Sequence, residues 1–348
     1  MKKLLAALFL MLAFYQAHAQ KIIAGADFVT NFDNREYGDN TFNSSITLFS
    51  AKLAPFAGIN WDNNHNLIAG VNMRSDFGNS TKFMSDVKPI MYYKYNSKNV
   101  SASAGIFDKK EYIGNYSRAF FSDSTNFYSN LNSGFVGHYI STKRKNTYVE
   151  LGLNWEGMYS VESREKFRLF TAGRFGFGDF YLGYAFSLFH FAGSKVSENV
   201  CDNLLINPYV GVNFNAYLDF DIRLEFLIAP QRVRRLDLGW EKPCGGQFYF
   251  MLTKWGVRLD NTLYFGESLM PYYYLHGVEG LYAGDRFYST TEKIYNRTFV
   301  GYDKKFLKNT LAIEAGMVFH YDGTALGSQQ IIKLTVALEK MFSVCSKK

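Results

Sequence analysis

The sequence predicts an all-β chain, an antiparallel up-and-down transmembrane β-barrel of about 16 strands within a range of roughly 14 to 18. Three observations carry that prediction. Apolar and polar residues alternate with a period of two in stretch after stretch, the connections between stretches alternate short and long, and aromatic residues gather beside the short ones. Composition agrees, because Phe 33, Tyr 25 and Trp 4 make up 18% of the 348 residues while Pro is only 6 and Cys only 3. So much aromatic surface excludes a disordered chain, and so few Cys and Pro exclude a disulfide-built miniprotein or a collagen.

The alternation is clearest from Phe220, where Phe220, Ile222, Leu224, Phe226 and Ile228 share one face and Asp221, Arg223 and Glu225 lie on the other. A helix would mix the two sets. Leu67, Ala69, Val71 and Met73 likewise oppose Gly70, Asn72 and Arg74, and Val149, Leu151, Leu153 and Trp155 oppose Glu150, Gly152, Asn154 and Glu156. Strands are expected near 22–32, 45–61, 66–77, 86–95, 100–107, 133–142, 147–158 and 165–175, then 179–190, 203–214, 219–230, 245–254, 256–266, 291–303, 309–321 and 329–342. Most have the length of a tilted membrane-spanning strand, about 9 to 11 residues.

Residues 1–19 read as a signal peptide: Lys2 and Lys3, an apolar run from Leu4 to Tyr15, then Ala17-His18-Ala19 before the cut. That leaves a barrel over 20–342 and a periplasmic tail over 343–348. Losing Lys2 and Lys3 removes two charges from the net +7, and the mild excess that remains argues against nucleic acid as a partner. No later run is long and apolar enough for a membrane helix.

Short connections centre on Asn63-Asn64, Ser97-Lys98, Lys143 to Lys145, Phe177-Gly178, Asn215-Ala216, Lys254-Trp255 and Lys304 to Asn309. Long ones cover 33–44, 108–132, 191–202, 231–244 and 267–290. Short turns on one rim and long loops on the other are the pattern of the bacterial cell outer membrane, with both termini periplasmic when the strand count is even. Trp61, Tyr93, Tyr95, Phe180, Trp255, Tyr302 and Phe342 flank the short turns, where an interfacial girdle belongs. Outer-membrane lipid, lipopolysaccharide and the barrel-assembly machinery are the partners such a chain would meet.

With Gly105-Ile106-Phe107, Arg118 to Asp123, Leu281 to Tyr288 and Tyr295-Asn296-Arg297 in view, the chain resembles the uncharacterised porin-like outer-membrane barrels of Bacteroidota-type bacteria. The resemblance implies fold and location and brings no catalytic residue with it.

Searches for chemistry return little. There is no GxxxxGK[ST], HExxH or CxxC, and Gly266-Glu267-Ser268 lacks the second glycine of a nucleophile elbow. His138 with Ser141 and His190 with Ser194 are the close histidine–serine pairs, and neither has an evident third member. No enzyme, catalytic residue, metal or cofactor is expected, and His320 reads as a satisfied luminal histidine.

Inward parity selects a charged set for the lumen: Arg74, Asp76, Glu150, Glu156, Arg168 and Arg174 in the first half, then Asp221, Arg223, Glu225, Arg258, Asp260 and Glu314. Both signs are present, so discrimination by ionic sign should be weak. Inward Gly70, Gly152 and Gly183 should leave open space. Two long loops are aromatic, one through Tyr112, Phe120 and Phe121 and the other through Tyr272, Tyr273, Tyr274, Tyr282 and Tyr288; they should fold into the mouth and narrow it. Cys201 and Cys244 close successive long loops and are candidates for a disulfide in an oxidising compartment. The function expected is a porin-like channel for small hydrophilic solutes. The alternative is a barrel component or partner of a surface polysaccharide or protein export or assembly system.

Overall fold

A computed structural model of the chain describes residues 21–38, 45–78, 82–195, 199–235, 239–272, 282–289 and 293–343. The expected signal peptide, Tyr273, Tyr274 and the tail beyond 343 lie outside the described residues.

In chain order the strands are β1 (Lys21–Glu36), β2 (Ile46–Trp61), β3 (His65–Asp76), β4 (Asp86–Asn96), β5 (Val100–Asp108), β6 (Leu131–Ile140), β7 (Tyr148–Gly157) and β8 (Lys166–Phe177). Then come β9 (Phe180–Phe191), β10 (Cys201–Ala216), β11 (Leu218–Ile228), β12 (Gln231–Val233), β13 (Cys244–Lys254), β14 (Val257–Gly266), β15 (Ile294–Phe306), β16 (Leu311–Tyr321) and β17 (Leu326–Ser343). All but β12 are staves of one closed antiparallel barrel. β1 pairs with β2 on one side and with β17 on the other, from Lys21 opposite Ser343 to Glu36 opposite Ser328. Closure leaves no edge strand, as a lipid solvent requires, because backbone groups there have no water to bond.

The sixteen expected strands are the sixteen staves. Leu224 is 61% exposed while Arg223 and Glu225 beside it are 7% and 5% exposed, so hydrocarbon faces outward and charge faces in. β12 was expected only as loop; it pairs with Cys201 to Asn203 of β10 above the end of β11. β15 runs three residues later than 291–303. Lys304 and Lys305, expected in the turn, pair with Ile313 and Ala312, and the reversal is made by Leu307, Lys308 and Asn309 at φ 50°, 57° and 71°.

Local rules set the short rim. Lys254 pairs with Val257 across Trp255 and Gly256, both at positive φ (55° and 95°), the left-handed geometry that a two-residue hairpin needs. Trp61 stacks on His65 with ring centroids 5.4 Å apart, and Tyr93 lies 6.1 Å from Trp61, an aromatic belt beside the turn of β2 and β3.

Two expectations fail. Cys201 and Cys244 are free thiols. Ile228 of β11 pairs with both Ile206 of β10 and Cys244 of β13, so Cys244 is level with Ile206. Cys201 lies five residues further along β10, roughly 16 Å higher, far outside disulfide reach. Nor do the inward glycines leave open space. A Cβ at Gly152 would run into the Phe170 ring, one at Gly183 into Tyr209 and one at Gly245 into Tyr264. The missing side chains make seats for aromatic rings of neighbouring strands, which brace the curved wall.

Candidate functional site

The inner wall is an ion-pair lattice built by strand parity. Arg74 meets Asp76 at 3.0 Å, Arg168 meets Glu156 at 3.2 Å and Arg223 meets Glu225 at 3.5 Å, each across one pleat or one strand. Arg258 reaches Asp260 at 3.1 Å and Glu314 at 3.8 Å, and also pairs with Asp303. Asp221 accepts the Tyr181 hydroxyl, and Arg174 lies 4.2 Å from the centre of the Tyr181 ring. The charges singled out from the sequence therefore hold one another or the wall. Arg297, not singled out from the sequence although the expected strand 291–303 contains it, is 2% exposed and bonds Asp260 at 3.1 Å and Asp123 at 3.3 Å.

Between β5 and β6 the chain turns inward. It makes a 3-10 turn at Lys109–Glu111 and a short helix, α1 (Asp123–Tyr128), whose Ser122 cap accepts the Thr125 amide at 3.0 Å. Phe120, Phe121 and Phe127 are 2%, 7% and 4% exposed. Glu150 of β7, fully buried, accepts the Ile113 and Gly114 amides and the Tyr116 hydroxyl. Tyr112 packs 4.5 Å from the Phe170 ring and donates to Asn132. On the far side Lys52 donates to the Phe127 carbonyl at 3.0 Å, and Arg35 donates to the Ser124 hydroxyl. The segment thus spans the lumen from β7 and β8 to β1 and β2.

The described part of the second aromatic loop packs on the first. Ser122 and Thr125 donate to the Ala283 carbonyl at 2.9 and 2.7 Å, and the Asp285 amide donates to the Arg118 carbonyl at 2.8 Å. Tyr288 is buried against Tyr264 and Tyr295, Tyr282 packs on the same cluster, and Tyr272 sits with Phe189, Phe191 and Val233. The Asp123 side chain is half exposed, and Arg118 and Arg297 hold its carboxyl below its usual range. Burial pushes neighbouring Asp285 up.

Among the described residues, three cavities around this insert stand out. One of about 510 Å³ lies toward β4, β6, β7 and β8, with Lys88, Lys109, Glu156 and Lys166 among its lining. One of about 440 Å³ lies toward β1, β2 and β17, with Asp27, Lys52, Asp108, Lys109, Lys110 and Lys333. A third, about 240 Å³, reaches Arg118, Asp123, Arg223 and Tyr249. Among the described residues no three His, Cys, Asp or Glu side chains come together as a metal site.

Of the two histidine–serine pairs, Ser141 is committed to its turn, accepting the Lys143 and Arg144 amides. His190 has a partner the sequence did not reveal. Its Nδ1 lies 3.4 Å from Asp202 Oδ1, and the same carboxylate is held by Arg232 and Arg234. His190 and Asp202 share the outward parity of Leu182 and Val210, at the rim of the long connections.

A family model described as lipid A 3'-O-deacylase-type matches residues 15–225, more than half the chain. The chain belongs to that family. Membership corrects the expectation that the chain is no enzyme, since the family is named for an enzymatic activity. No curated protein matches the sequence. Among solved structures, a loop L8 deletion mutant of OmpT from Vibrio cholerae superposes with TM-score 0.54 at 12% identity, covering 92% of this chain and 100% of that one. OmpF of Salmonella typhi in complex with daunomycin gives 0.49 at 10% identity, covering 92% and 97%. A Rhodopseudomonas blastica porin triple mutant gives 0.48 at 9% identity, covering 91% and 100%. The OmpT likeness bears on fold, and with the lipid A 3'-O-deacylase-type match it places this chain among outer-membrane barrels.

Proposed function

We propose that this lipid A 3'-O-deacylase-type barrel is a channel for small hydrophilic solutes, with a lumen narrowed by the segment between β5 and β6 and by the loop after β14. The observation that carries the reading is the three cavities, which persist beside an insert held to the wall by specific bonds rather than filling it. A lumen of sixteen strands exceeds what wall side chains alone can fill. Purified protein in a planar bilayer should give discrete ohmic steps, and silent membranes would reject the reading.

The family match and the outward His190–Asp202 pair favour a second activity, removal of an acyl chain from an outer-leaflet glycolipid. A carboxylate that orients an imidazole is half of an acyl-transfer machine, and this one faces the lipid. Incubated with lipid A, the protein should release fatty acid detectable by mass spectrometry, and His190→Ala should abolish the release. No release by the wild type would remove this activity.

The topology proposed has short turns in the periplasm. A cysteine at Arg144 should resist an impermeant maleimide on intact cells, whereas one at Ser160, in the long connection of β7 and β8, should react. The reverse pattern would invert the orientation.

A further inference from the structure

Arginine and lysine divide the luminal charge unequally. Arginines take the wall carboxylates in the pairs described above, whereas Lys52, Lys109, Lys166 and Lys333 form no ion pair among the described residues. The planar guanidinium suits fixed pairing, and an ammonium on a flexible stem remains a hydrated point charge. Three of these four lysines line the cavity of about 440 Å³.

Register brings them together. Lys52 of β2 is opposite Val29 of β1, and Lys333 of β17 is opposite Asn31, so one strand and one pleat separate them. Lys52 lies 4.4 Å from the centre of the Phe127 ring and Lys109 5.6 Å from that of Phe121, which aligns both stems along the insert. The two carboxylates of the cavity are already engaged. Asp27 pairs with Lys110, and Asp108 accepts the Asn130 amide and the Lys110 backbone N–H. What faces the space is a net positive lining with aromatic walls from Tyr112, Tyr116 and Phe121. Charge held away from bulk water without a counter-ion is costly, and an anion arriving there offsets that cost. The volume lies in the range of small-molecule sites.

We propose that this chamber is a binding site for a small hydrophilic anion, a sugar-sized solute bearing a phosphate or carboxylate. The inference deepens the channel reading, because the solute must enter the lumen. It replaces the weak ionic discrimination expected from a balanced wall, since pairing consumes the acidic half of that balance.

The test is calorimetric titration of the folded full-length protein in detergent with glucose, glucuronate and glucose 6-phosphate. Affinity should rise in that order, with glucose 6-phosphate at least about tenfold tighter than glucose. Lys52→Met and Lys333→Met should each weaken glucose 6-phosphate about tenfold, Lys52→Arg should restore most of the loss, and Lys143→Met in a distant turn should change nothing. Equal affinity for glucose and glucose 6-phosphate, or unchanged affinity in both methionine variants, would overturn the site. The comparison of the three sugars uses wild type alone, so a variant that fails to fold leaves it decisive. Silent bilayers with preserved glucose 6-phosphate binding would reject the channel and keep the site; conducting bilayers without binding would reject the site alone.

Discussion

Deleting residues 114–127 and joining Ile113 to Tyr128 through two glycines should raise single-channel conductance about threefold or more, because the wall of a sixteen-stranded barrel then encloses an aqueous lumen. The segment carries Phe120, Phe121 and Phe127, all buried, and separates the cavities of about 510 and 440 Å³. Its removal merges them. The wall should survive, since the Arg168–Glu156, Arg223–Glu225 and Arg258–Asp260 ion pairs join wall residues to one another. Glu150 would lose two of its three donors, the Gly114 amide and the Tyr116 hydroxyl, so the deletion is best made with Glu150→Gln. Steps of unchanged size from a correctly folded deletion variant would show that this segment does not limit the current.

The barrel was legible because each stave must satisfy lipid on one side and a polar interior on the other, and that demand writes a period of two into β7, β11 and β16 with no help from distant contacts. Turn chemistry was less legible. Lys304 and Lys305 have the polarity of a turn, but they pair with Ile313 and Ala312 in the strand, and the reversal falls on Leu307, whose type gives no hint of positive φ. β12 escaped notice because a three-residue strand has no measurable period.

The luminal site was half legible. Parity found the arginines and carboxylates, and the aromatic richness of 108–132 and 267–290 marked loops that pack inside. Parity alone could not say which charges would cancel. Lys52 lies in register with Ser50 and Ala54 on the inner face of β2, a signal present in the sequence, but its lack of a carboxylate depends on where α1 presents the Phe127 carbonyl. The Asp202 partner of His190 is likewise set by the pairing of β9 with β10.

Glu150→Ala should be the most damaging single substitution in the lumen, costing about 3 to 5 kcal/mol. Glu150 is fully buried and, among the described residues, has no cation; it is held by the Ile113 and Gly114 amides and the Tyr116 hydroxyl, the last at 2.8 Å. Removing the carboxylate orphans three donors beside Phe170 and frees the start of the insert. Glu150→Gln keeps one acceptor oxygen and should cost only about 1 to 2 kcal/mol. Because the insert is tied to the wall and also to itself, the two effects need separate readouts: urea denaturation in lipid for the barrel, and trypsin cleavage at Arg118 for the insert. In the wild type Arg118 is protected by its pairing with Asp123 at 3.0 Å and by the Asp285 amide on its carbonyl. Glu150→Ala should expose it even where the barrel remains folded. Combining Glu150→Ala with Tyr116→Phe should cost less than the sum of the two, by about 1 kcal/mol or more, because they share one bond. Unchanged protection at Arg118 in Glu150→Ala would mean that the insert is held from the β1 and β2 side, through Lys52 and Arg35, and that Glu150 only completes a seal already made.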